Sequence, residues 1–95
     1  MKKLLLVLAL TVAIPAQAMS YSYCVSIQQV ARATMSAYQT GVPKSQLFEI
    51  ANSPTTYRIV YDATSRYRFL TEEFRQQAAT DFGVEYFALC LDGEI

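Results

Sequence analysis

Apolar and polar positions divide the chain into one dense apolar run and then several interrupted ones. The dense run extends from Leu4 to Ile14, preceded by Lys2 and Lys3 and followed by Pro15-Ala16-Gln17-Ala18. A basic start, a short apolar stretch and small residues at Ala16 and Ala18 form the three parts of an export leader. Crossing the hydrocarbon core takes about 20 apolar residues. Gln17 and Ser20 close this run before that length. The pattern therefore predicts a cleaved signal peptide over 1–18, a single helical domain over 19–95, and no membrane span after removal of the leader.

Beyond the leader the apolar period changes to three and four. Cys24, Ile27, Ala31, Thr34 or Met35, and Tyr38 draw one stripe, with Gln28, Gln29, Arg32 and Ser36 largely away from it. That spacing predicts a helix over 20–40, stopped at Gly41. Pro43 suits the first turn of a second helix over 44–52, which carries Leu47, Phe48, Ile50 and Ala51. Ser53 and Pro54 repeat the punctuation as a cap and a first helical position.

Residues 55–70 are ambiguous, because Tyr57, Ile59, Val60 and Tyr61 favour strands yet also satisfy helical spacing. A lone strand would have no partner, so a helix through about Thr64 is the better reading. Ser65 to Leu70 then form a connection. Thr71 caps the last helix, Glu72 and Glu73 complement its dipole, and Phe74, Ala78, Phe82, Tyr86, Leu89 and Cys90 form its apolar series. Gly83 inside that series predicts either a bend or close packing against a neighbour.

Residues 19–95 number 77, and a core of that size supplies no more than about 3 to 5 kcal/mol. Cys24 and Cys90 are the only cysteines and close a loop of 66 residues. In an exported domain such a pair reads as a disulfide, stabilising the fold by roughly 4 kcal/mol in the chain-entropy model. The alternatives are two free buried thiols or a lipid-modified Cys24. Free thiols survive poorly in an oxidising compartment, and Tyr21-Ser22-Tyr23 lacks the small, Leu-containing sequence that lipidation needs. The predicted fold is all-α: a small irregular bundle of three to four helices, with one disulfide joining the first and last. The expected address is the Gram-negative periplasm, or secretion.

Charge and composition then narrow the chemistry. With Lys2 and Lys3 removed, six basic residues face eight acidic ones, a weak acidic bias that argues against a nucleic-acid partner. The absence of histidine removes the usual general base and most zinc sites. Asp92 and Glu94 fall short of the six to eight oxygens that calcium takes. No catalysis, cofactor or metal is expected. A hydrolase using carboxylates alone would require convergence among Glu49, Asp62, Glu72, Glu73, Asp81 and Glu85.

The most distinctive stretch interleaves tyrosine with arginine. Both residue types are enriched at binding hot spots, so Tyr57, Tyr61, Arg66, Tyr67 and Arg68 are the candidate protein-binding residues. The competing reading packs the rings inward and lays the arginines along apolar surface. Arg66-Tyr67-Arg68 falls in the connection, where packing does not require a tyrosine. The expected function is non-catalytic binding of a protein in the cell envelope, as an inhibitor or immunity-type binder. The alternative is an acid-stress or holdase-type chaperone, since protonating the carboxylates leaves six positive charges uncompensated. In outline the chain is similar to both kinds of small periplasmic protein, but that likeness covers architecture alone.

Overall fold

In the computed structural model, α1 (Lys2–Gln39) and α4 (Glu72–Leu91) lie antiparallel, α3 (Pro54–Thr64) packs on α1, and α2 (Lys44–Ile50) packs mainly on α3. The structure describes the backbone of residues 2–95 and the side chains of residues 21–95. The side chains of the expected leader, Met1 to Ala18, lie outside the described residues. No helix among the described residues is long and apolar enough to cross a membrane.

Each helix boundary has a local cause. Gly41 (φ +107°) and Gly93 (φ +76°) end α1 and α4 in the same way. After α1, Val42 N–H donates to Ala37 O and Gly41 N–H to Tyr38 O; after α4, Glu94 N–H donates to Leu89 O and Gly93 N–H to Cys90 O. Both are Schellman closures, which need a left-handed residue that glycine supplies without a Cβ penalty.

The expected cap of α3 forms as a full capping box. Ser53 Oγ accepts from Thr56 N–H at 3.2 Å, and Thr56 Oγ1 accepts from Ser53 N–H at 3.0 Å. Asn52 N–H also donates to Thr56 Oγ1, so Asn52 and Ser53 belong to the cap of α3. That demand ends α2 at Ile50, short of the expected 52, while Pro43 serves as its N-cap, just outside the first turn. The ambiguous stretch is helix, with Ile59, Val60, Ala63 and Thr64 on its buried face.

The Cys24–Cys90 disulfide joins α1 and α4 with a Cα–Cα distance of 5.4 Å. Gly83 provides the close packing further along. A Cβ placed there would lie 3.1 Å from both Arg32 Cβ and the Gln28 carbonyl oxygen. Glycine therefore lets the two backbones approach. The core groups Cys24, Ile27, Ala31 and Met35 of α1 with Ile59 and Ala63 of α3 and Ala79, Phe82, Tyr86 and Cys90 of α4.

Phe74 departs from the expected stripe, remaining 53% exposed, and burial in α4 starts at Ala79. Equal steps along the antiparallel pair from the Gly83 contact bring Phe74 level with the end of α1. No further turn of α1 is there to cover it.

Candidate binding surface

The connection between α3 and α4 is irregular in backbone yet fastened at successive points. Gln39, buried in the last turn of α1, donates from Nε2 to Tyr67 O at 2.7 Å and accepts at Oε1 from Phe69 N–H at 2.8 Å. One side-chain amide thus pairs with the connection much as a strand neighbour would. Arg68 donates from Nε to Tyr38 O at 2.9 Å and from Nη2 to Val42 O at 3.0 Å, and its guanidinium lies 4.1 Å from the Tyr38 ring centroid. It thereby adds a second donor to the Tyr38 carbonyl, which already accepts from Gly41 N–H, and ties the connection to the turn that follows α1 at Val42. Arg75 Nε donates to Phe69 O at 2.9 Å.

Arg66 fastens the start of the connection. It donates to both carboxylate oxygens of Asp62, at 3.2 and 3.1 Å, and to Glu85 Oε1 at 3.0 Å, with its guanidinium 5.2 Å from the Phe82 ring centroid. These pairs are half exposed, so each contributes no more than about 1 kcal/mol. The hydrogen bond to Glu85, with the further bonding and charge of Asp62, raises the pKa of Arg66. Tyr86, buried below, donates its hydroxyl to Asp62 Oδ2 at 2.9 Å. Burial first, and then the bond to Asp62, pushes its phenol up to about 12.

These fasteners leave the apolar side chains of the connection in solvent. Tyr67 is 68% and Leu70 84% exposed. Tyr67 meets Phe69 edge-on at 5.2 Å between ring centroids, and Phe69 meets Phe74 at 5.9 Å. Behind this cluster runs an open groove of about 550 Å³ between the connection and α4, with Met35 and Phe82 among the residues lining it.

The sequence-predicted residues divide by type. Tyr57 and Tyr61 are exposed on α3, one helical turn apart, and Tyr57 packs on Phe48 at 5.2 Å. Tyr67 is exposed in the separate aromatic cluster, and among the described residues no ring contact joins it to the α3 pair. Arg66 and Arg68 turn to the chain itself. Near the disulfide, Tyr21 packs edge-on against Phe87 at 5.8 Å.

Two of the six carboxylates considered for acid chemistry, Asp62 and Glu85, converge, and they do so on Arg66, whose single positive charge they share. Among the described residues no group of three or more His, Cys, Asp or Glu is placed to hold a metal ion. Gln39 is the residue that pattern reading passed over. Its signal was present in the spacing: Ala31, Met35 and Gln39 follow one another at intervals of four, so the stripe ends on a polar residue that must find partners when buried. Compared with family models, curated proteins and solved structures, the chain matches none.

Proposed function

We propose that the protein is an exported, disulfide-stapled helical module that acts in the cell envelope, periplasmic or secreted, by binding another protein without catalysis or cofactor. The observation that carries this reading is the cluster of Tyr67, Phe69, Leu70 and Phe74. Exposed apolar side chains stand on a connection whose backbone is held by Gln39, Arg68 and Arg75. Contiguous exposed apolar surface marks interaction sites, and side chains displayed on a fixed backbone lose less freedom on docking. Tyr57 and Tyr61 on α3 form a second patch that the same partner could cover. The Cys24–Cys90 bridge favours an oxidising compartment.

The test is capture from envelope extract by the tagged protein, with captured proteins identified and then re-bound as purified partners. Replacing Tyr67 and Phe74 together by serine is expected to abolish capture while thermal stability stays within about 0.5 kcal/mol, as exposed sites allow. Undiminished capture by that variant, with loss through Tyr57→Ser/Tyr61→Ser, would move the interface to α3. Undiminished capture by both would remove the proposal.

A second reading, the acid-activated chaperone, is favoured by the position of Arg66. Its two carboxylate partners come from different helices, Asp62 from α3 and Glu85 from α4, so loss of their charge in acid would free the guanidinium and loosen α3 from α4. Prevention of client aggregation at about pH 3 and not at pH 7 supports this reading, and equal inactivity at both eliminates it.

A further inference from the structure

The groove behind the aromatic cluster is uneven in charge. Its apolar side includes Met35, Phe69, Phe74 and Phe82, and the charged side chains lining it are Arg66, Asp81 and Glu85. Arg66 is already paired with Glu85 and with Asp62. Asp81 is exposed and makes no hydrogen bond or ion pair with any described residue. The uncompensated charge here is therefore negative: the single charge of Arg66 faces two carboxylates, and Asp81 is the lining carboxylate with no cation bonded to it. Arg68 and Arg75 have their Nε donors committed to main-chain carbonyls, and Arg32, which lines a neighbouring depression with Asp81 and Glu73, forms no ion pair with either among the described residues.

From Phe74 to Glu85 the α4 wall is three helical turns long, about 16 Å by the helical rise. That is enough for a short segment of chain and long for a single inserted side chain. A purely apolar segment would leave Asp81 without a partner beside a partly dehydrated surface, and an acidic one would be repelled.

We propose that this groove takes a basic amphipathic segment of a partner protein, with apolar side chains against the exposed rings of Phe69 and Phe74 and a lysine or arginine on Asp81. The inference rests on the protein-binding reading above and specifies the chemistry of what is bound.

The probe is a fluorescein-labelled peptide of about 14 residues with leucine and lysine at helical spacing, alongside a counterpart with glutamate for every lysine. Anisotropy titrations are run at about 0.15 M salt, where attraction to distant charges is screened. The basic peptide is expected to bind at least about tenfold more tightly than the acidic one. Asp81→Asn and Phe74→Ser should each weaken it by about three- to tenfold. Glu49→Gln, at an exposed carboxylate on α2 outside the groove, should leave its affinity unchanged.

Equal affinity for the two peptides, equal weakening by Glu49→Gln, or no binding of the basic peptide at about 1 mM would overturn the proposal. Any of these would leave the protein-binding reading to be judged by the Tyr67 and Phe74 capture experiment, which does not depend on the partner's charge.

Discussion

Gln39 donates its side-chain amide to the carbonyl of Tyr67 across 2.7 Å from a site that is only 3% exposed. The same amide receives the N–H of Phe69, so one buried residue at the end of α1 sets the path of the connection that presents the aromatic cluster. Gln39→Leu keeps the approximate volume and removes both bonds. It is expected to cost about 1 to 3 kcal/mol in urea unfolding and to speed hydrogen exchange at the Phe69 amide. A loss below about 0.5 kcal/mol, with exchange unchanged, would mean the connection is held without it.

The Cys24–Cys90 bridge ties the two longest helices at the end away from that connection. Replacing both cysteines by alanine should lower stability by about 2 to 5 kcal/mol, read as a shift in the urea midpoint. Intact mass of the exported protein should correspond to residues 19–95 less two hydrogens. A mass that retains the leader, or alkylation before reduction, would contradict the export reading.

At Gly83 two effects oppose one another. Alanine gains about 1 kcal/mol of helix propensity. Overpacking costs about 1 to 3 kcal/mol, and here the obstruction includes the backbone carbonyl of Gln28, at 3.1 Å from the added Cβ, in a helix pinned by the disulfide. Gly83→Ala should therefore lose up to about 2 kcal/mol net. A more stable variant would show that α1 can retreat by a few tenths of an ångström.

Tyr86 carries the clearest pH signature. Its phenol is pushed from 10.0 to about 12 by burial and by the bond to Asp62. The folded state thus holds a proton that the unfolded chain releases earlier, so the contribution is whole below pH 10.0 and is lost as pH rises toward about 12. Tyrosinate absorbance should show a step near that upper value which Tyr86→Phe removes, and the variant's stability should fall less steeply over the same window. An unchanged absorbance profile in the variant would contradict the assignment.

Helical periodicity and punctuation carried most of the architecture, because caps and stops act locally. Gly41, Ser53-Pro54 and Thr71 each perform the predicted task. The limits of pattern reading appear where the cause is tertiary. Phe74 continues the apolar series but lies level with the end of α1, so no neighbour covers it. Arg66 and Arg68 have the composition of a recognition loop, yet their donors are taken by carboxylates and carbonyls that only the folded chain brings within reach. The pattern leaves open whether the tyrosines pack inward or face solvent; Tyr57, Tyr61 and Tyr67 are exposed, and no spacing rule could divide them into two patches.

The most direct test of a binding role places a photo-crosslinking amino acid at Tyr67 of the exported protein in intact cells, with Gln46 on α2 as the comparison site. The binding account expects a discrete heteromeric adduct from position 67, absent from position 46 and lost with Phe74→Ser. No adduct from position 67 or from Tyr61, in cells where the disulfide-closed protein accumulates, would contradict it.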